Sequence, residues 1–376
     1  MTEKEIAEIR RRFRSEKSNI THVRGCYVSE KREIVSEFDQ PLSTLPQEET
    51  DQLLSVLRRA LSGTPGRNLA DLSFDTRQVV DSDEHRLLMA LRDSSLHDEA
   101  AVQAFFQRVI GSFSLEGTYL ILLACEKYDI PYHAKDGQAL EDASQEVYSY
   151  VLCALCPVKP TKPALSYDVP ENAFRSRLAD WLVSPPEAGF LFPAFNDRTA
   201  DIYSALYYSR DPAENHPELI DAVFRLEAPM PAATQKETFH AVLVEALSED
   251  CSYDVVQAVD GQLREMIQEH KDSKAEEPLV LSQRAVKEVL HSCGVSPEHV
   301  ETFGQKYEEE FGAEMELRPQ TLVDKRQLEV CTPDVKIQVN PERSDLLETR
   351  IIDGARYILI RAGEGVEVNG IPVRIL

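Results

Sequence analysis

No apolar run in this sequence approaches the roughly 18–20 residues that a membrane-crossing helix needs. The first residues, Met1–Arg14, are a charged helix former. They have neither the apolar stretch nor the small-residue cleavage site of a secretory signal. These absences point to a cytoplasmic protein with no membrane partner. Low-complexity tracts and internal repeats are also missing, which argues against a disordered chain or a solenoid. The catalytic signatures that can be read by eye are absent too. There is no HExxH and no GxSxG elbow, CxxC occurs once, and the one glycine-rich loop lacks the Lys-Ser/Thr ending of a P-loop. No cofactor and no metal site is expected, and no catalytic residue can be named.

What is present is an ordinary globular composition, 42% hydrophobic and 28% charged, long enough for two or three domains. The seven cysteines (26, 125, 153, 156, 251, 293 and 331) are odd in number, scattered, and mostly set in apolar surroundings, as reduced buried thiols are. The formal charge is −24, and residues 240–316 supply half of it, with 18 Asp/Glu against 6 Lys/Arg. Residues 1–36 run the other way, with 9 Lys/Arg against 6 Asp/Glu. Strong acidity works against indiscriminate binding to nucleic acid or anionic lipid, although a local basic patch can still hold a polyanion.

Ile6, Ile9 and Phe13 have helical spacing behind a Thr2/Glu5 capping pair. Short strands are expected at Ile20–Val28 and Glu33–Phe38, and an amphipathic helix at Pro46–Leu61. Two further helices are expected at Asp83–Arg92 and Asp98–Ile110. Thr118–Glu126 is apolar on both faces, as a central strand is, with Glu146–Val158 as its partner and a polar loop, Asp129–Ala143, between them. After Pro163 come short extended pieces, including Trp181–Val183. Gly189–Arg210 then reads as a β-hairpin with an ionic tip, and six of its 22 residues are aromatic. Helices follow at Pro217–Phe224, Thr234–Ser248, Asp254–His270, Gln283–His291 and Pro297–Phe311. The tail from Gln327 is β again, with Asp353-Gly354 as a two-residue turn.

Several features could carry chemistry, and each has a structural alternative. Cys153 and Cys156 have redox or half-zinc spacing, but they lie inside an apolar strand, where buried structural thiols are the natural reading. The loop Gly63–Asn68 could turn its amides and Arg67 toward an anion, or could simply end a helix. Arg175, Arg177 and Arg198, with Lys159 and Lys162, surround the aromatic hairpin and could stack on bases. The alternative is that the aromatics, with Trp181, are core. At the hairpin tip Asn196, Asp197 and Arg198 remain as binding candidates. Arg10, Arg11, Arg12 and Arg14 form the densest basic cluster, open either to a polyanion or to the chain's own acidic helices.

The stretches KEIAEIRRRF, GCYV, LSGTPGRNL, DASQEVYSYVLCALCPV, GFLFPAFNDRTADIYSALYYS, HPELID, TQKETF and TPDVKIQVNPERSDLLETRIIDG together resemble a bacterial family catalogued as a domain of unknown function. That resemblance spans nearly the whole chain and implies no activity. The order of central strands, hairpin, a helix opened by Thr234–Thr238 and a C-terminal β module is similar to a nucleoid-associated protein family and to the DNA-binding Kiwa phage-defence subunit.

The expected fold class is α+β: an N-terminal mixed domain with an antiparallel sheet (1–228), an acidic helical segment (229–316) and a small C-terminal β domain (317–376). The expected function is non-enzymatic binding, with nucleic acid as a partner through the arginines above. The alternatives are an enzyme assembled at Asn196–Arg198 and a homo-oligomeric scaffold in which the C-terminal β module supplies sheet edges for pairing.

Overall fold

The computed structural model describes residues 1–133, 139–177, 179–273, 275, 278–312, 315–323, 327–362, 365–368 and 370–373, with the side chains of 132–146, 177 and 342 left aside. The chain divides into two compact units, Met1–Thr234 and Gln235–Leu376.

In the first unit, helix α1 (Glu3–Arg12) precedes strands β1 (His22–Val28) and β2 (Ile34–Pro41). Helix α2 (Gln47–Arg59) leads to β3 (Leu69–Ser73), and then come helices α3 (Thr76–Asp81), α4 (Asp83–Asp93) and α5 (Glu99–Ser112). Two long strands follow, β4 (Thr118–His133) and β5 (Ala139–Pro160). After them come the short β6 (Ala164–Asp168), β7 (Ala173–Arg177) and β8 (Trp181–Val183). The aromatic segment supplies β9 (Ala188–Phe192), β10 (Ala194–Asn196), β11 (Thr199–Asp201) and β12 (Ser204–Ser209), and α6 (Pro217–Phe224) follows it.

The main sheet runs β2-β1-β4-β5-β9-β12-β3 with every pairing antiparallel, and β8 joins one end of β5. Strand alternation sends side chains to two separate cores. Along β5, Val151, Cys153 and Leu155 face a core built with α4, α5 and α6. Leu152, Ala154 and Cys156 face the opposite core, under α1 and α2. Helices therefore cover both faces, which explains why Thr118–Glu126 reads as apolar throughout. The helix starts are set locally: Ser82 accepts from the His85 amide at α4, and Asp98 from Ala101 at α5.

Three expectations need correction. Residues 129–133 and 139–143 continue β4 and β5 rather than forming a loop, with register shifts around Pro131; residues 134–138 lie outside the described residues. Strand β3 and helix α3 occupy a stretch assigned no element. Trp181 is 60% exposed on β8 and takes no part in the core.

The sheet holds one group that couples stability to pH. The His22 ring stacks on His97, with centroids 4.8 Å apart, and its Nε2 is buried without a hydrogen-bond partner. Burial lowers the His22 pKa; His97 and Arg24 push the same way, and Asp39 opposes them. The folded protein thus takes up this proton less readily than the unfolded chain. The corresponding stability is complete above the unfolded value of about 6.5 and is lost as pH falls below it. Urea midpoints measured from about pH 7.5 to about 5.5 should fall more steeply in the wild type than in His22→Gln. Parallel profiles for the two proteins would remove His22 from the account.

The second unit is helical, with α7 (Ala232–Leu247) entering it, then α8 (Tyr253–Ser273), α9 (Gln283–Ser292), α10 (Pro297–Phe311) and the single turn α11 (Pro319–Leu322). Its core centres on Phe239, Leu243, Leu263, Leu290, Phe303 and Tyr307. Two-stranded ribbons follow: β13 (Leu328–Cys331) with β14 (Lys336–Val339), β15 (Leu347–Ile352) with β16 (Ala355–Ile360), and β17 (Glu367–Val368) with β18 (Ile371–Pro372). Asp353 and Gly354, with φ of 50° and 80°, make the expected tight turn.

Candidate functional site

The hairpin tip is a two-residue turn in which Asp197 and Arg198 both have positive φ, the geometry that matches strand twist. It is docked rather than free. Arg198 Nη1 donates to Glu8 Oε2 at 2.7 Å, and the Arg198 amide donates to Glu5 Oε1 at 3.3 Å, so the tip clasps helix α1. Asn196 Nδ2 donates to Asp201 Oδ2 at 2.7 Å. Five of the six aromatics, Phe190, Phe192, Phe195, Tyr207 and Tyr208, are buried, and only Tyr203 is exposed.

Beneath the same helix lies a buried carboxylate. Glu126 is 1% exposed and accepts from Arg12 Nη2 at 2.8 Å, Arg12 Nε at 3.1 Å and the Asn19 amide at 2.9 Å. The Tyr150 hydroxyl donates to its other oxygen. Burial, and then the charge of Glu126, push the Tyr150 hydroxyl pKa well up, so it remains a donor. Arg12 also lies over the Tyr128 ring, 4.8 Å from its centroid, and the Tyr128 hydroxyl donates to Glu8 Oε1 at 2.7 Å. Burial, with the Glu8 bond, raises the Tyr128 pKa to about 12. This network brings Arg12 and Arg198 together through Glu8 and Tyr128. Its acceptors are filled by protein donors, so it fastens α1 to the sheet.

The remaining candidates are dispersed. Arg11 and Arg14 are exposed and Arg10 is half-buried. Arg67 is exposed, but the Gly66 amide donates to the Leu69 carbonyl and the Arg67 and Asn68 amides to that of Thr64, so these three are not free to meet an anion. Cys153 and Cys156 point to opposite faces of the sheet, and burial raises the Cys156 thiol to about 12. Among the described residues, no group of three or more His, Cys, Asp or Glu converges as metal ligands do. A shallow cleft of about 290 Å³ beside β11 is lined by Arg92, Asp93, Lys127, Val147, Ser149 and Ala200. It has no histidine or cysteine, and Arg92 is paired with Asp93 at 2.6 Å.

Arg175 belongs to a separate ribbon rather than to the aromatic hairpin, and the Arg177 side chain lies outside the described residues. Among the described residues strands β6 and β7 pair only with each other, Tyr167 opposite Phe174 and Leu165 opposite Ser176. One face therefore carries Leu165, Tyr167 and Phe174. The other carries Arg175, which pairs with Asp168 at 3.4 Å and also with Glu171. Leu165 is 72% exposed and Phe174 71%; Val169, Trp181, Leu182 and Val183 are exposed as well. The sequence signal for this ribbon is present: alternation on both sides of Asp168–Asn172, with Pro170 within the turn.

An antiparallel sheet covered by helices on both faces, followed by a helical unit with short ribbons, defines an α+β protein. No helix among the described residues is long and apolar enough to cross a membrane. The chain belongs to the family described as domain of unknown function DUF4317, which matches residues 1–371, as the resemblance implied. No curated protein matches it.

Proposed function

We propose that this chain is a non-enzymatic binding protein that associates with a second copy of itself through the β6–β7 ribbon and β8. The observation that carries the reading is the run of seven exposed large apolar side chains between Leu165 and Val183. A soluble chain rarely leaves such a concentration uncovered. Among the described residues the outer edges of β6 and β7 are unpaired, and bare edges favour strand pairing. Charge does not oppose this: residues 159–183 hold four Lys/Arg and three Asp/Glu, a net of +1 in a chain of −24, so two copies of this segment do not repel as the acidic segments do.

A polyanion fits less well. On the ribbon the aromatics and Arg175 occupy opposite faces, whereas a strand of nucleic acid needs stacking surfaces and cations side by side. Arg12, Arg175 and Arg198 are already paired with carboxylates. The exposed Arg11, Arg14 and Arg67 and the half-buried Arg10 are the candidate arginines that remain for that reading among the described side chains.

The test is the mass of the purified protein by light scattering across a dilution series, beside a variant carrying Leu165→Ser, Phe174→Ser and Trp181→Ser. The wild type is expected to be a dimer or larger, and the variant a monomer with an unchanged melting temperature. A wild type that is monomeric at its highest soluble concentration overturns the reading. A peak carrying nucleic acid, released by salt and lost in Arg11→Glu with Arg14→Glu, replaces it with polyanion binding.

A further inference from the structure

The helical unit contains a groove of about 600 Å³, within the size range of small-molecule sites, walled by α7, α8, α11 and β13. Helix α7 contributes Lys236, Phe239, His240, Leu243 and Leu247, which recur at helical spacing along one stripe. Helix α8 contributes Tyr253, Val256, Val259, Asp260, Leu263 and Arg264. The chain turns back between Leu247 and Tyr253, and the charge of Asp260 acts on His240 against that of Lys236, so the two stripes run in opposite directions. The groove is therefore polarised. Lys236, His240, Asp260 and Arg264 sit at one end, and Leu247, Cys251 and Tyr253 at the other, about 16 Å away at 1.5 Å per residue.

Two groups at these ends lack partners. Arg264 is paired with Asp260 at 2.6 Å, but Lys236 has no ion-pair partner among the described residues. At the far end the Tyr253 hydroxyl is shielded from solvent and makes no hydrogen bond. Tyr253 lines the groove with its hydroxyl covered, so an occupant that shifts this side chain gains a bond that water does not supply in the free protein. Partial loss of hydration, with Lys236 beside it, lowers the His240 pKa and disfavours a second positive charge at the head end.

We propose that this groove binds an elongated amphipathic small molecule with a monoanionic head group at Lys236, an apolar body along Phe239, Leu243, Val259 and Leu263, and a second hydrogen-bonding atom at Tyr253 Oη. The acidity of residues 240–316 does not forbid an anion. Exposed charges beyond about 8 Å are largely screened at physiological salt, whereas a direct ammonium contact is not. The site is independent of the self-association surface in the first unit.

Displacement of bound anilinonaphthalene sulfonate from the full-length protein tests the proposal. Dodecanoate and ω-hydroxydodecanoate are expected to displace the dye and dodecyltrimethylammonium is not. The hydroxy acid should act at a roughly two- to tenfold lower concentration, the range one added hydrogen bond supplies. Tyr253→Phe should abolish that advantage and leave dodecanoate unchanged. Lys236→Gln should weaken both acids. Equal displacement by the cationic amphiphile, a hydroxyl preference that survives in Tyr253→Phe, or a dye signal indifferent to both substitutions would each overturn it.

Discussion

Replacing Glu126 by alanine is expected to destabilise the first unit by about 3–5 kcal/mol, the range seen when one partner of a buried ion pair is removed. The carboxylate accepts from Arg12, Asn19 and Tyr150 with its side chain fully shielded. Without it, a guanidinium with only 16% of its side chain exposed and a buried tyrosine hydroxyl both lose their acceptor. Arg12→Ala should cost a comparable amount, because it leaves the carboxylate buried with only neutral donors. The double variant should cost clearly less than the two single values added, since the second removal no longer strands a charge. Urea denaturation of the four proteins measures the cycle. Arg11→Ala, on the exposed side of the same helix, serves as the control and should stay within about 0.5 kcal/mol of wild type. Additive losses would show that Glu126 and Arg12 act separately.

Gly189→Val should be as damaging, for a steric reason. Gly189 lies in β9 between β5 and β12, paired with Ala154 and Tyr208. A Cβ at this position would stand 2.5 Å from the Cys153 carbonyl oxygen and 3.0 Å from the Ala60 side chain. A backbone carbonyl in the middle of a sheet cannot step aside as a flexible side chain can. The strand or the end of α2 must shift instead, at about 3 kcal/mol or more. Gly111→Ala is the natural comparison, since a Cβ there meets nothing within 4 Å on helix α5. It should stabilise slightly through helix propensity, by up to about 1 kcal/mol. Melting temperatures that fall equally in the two variants would show that close approach at Gly189 is not what the sheet depends on.

Local chemistry made much of this architecture legible. Helices α6 and α10 begin at Pro217 and Pro297, as read from the sequence, because proline at the first helical position sets φ and lacks a donor that would be idle anyway. The Asp353-Gly354 turn could be read because tight hairpins select residues that tolerate positive φ, and the Asp197-Arg198 turn because a polar break separates two strand-like runs. What could not be read depends on distance along the chain. Nothing near Arg12 announces Glu126, and nothing near Arg198 announces Glu8. Both pairings exist only once the sheet has brought the segments together. Trp181 misled because an aromatic residue in an extended segment has the same local signature whether its ring is covered or bare. The ribbon residues Arg175 and Arg177 were grouped with the aromatic hairpin by closeness in sequence, whereas β6 and β7 form a sheet of their own. The Tyr253 hydroxyl is a property of the tertiary packing and leaves no mark on the pattern around it.

The sheet order has a consequence for the newborn chain. Among the described residues strand β3, complete by Ser73, pairs with β12, which begins at Ser204, and α1 is clasped by a turn at Arg198. At translation speeds of about 5–20 residues per second, the early segments wait on the order of ten seconds or more for their partners to emerge. During that interval Leu69 lacks Leu206 and Tyr208 of its core, and Leu72 lacks Ala205 and Tyr207 of its own. The N-terminal third of this protein therefore completes its native pairing only after the chain has been made past β12. A ribosome stalled before Arg198 would hold a chain that cannot close its first unit.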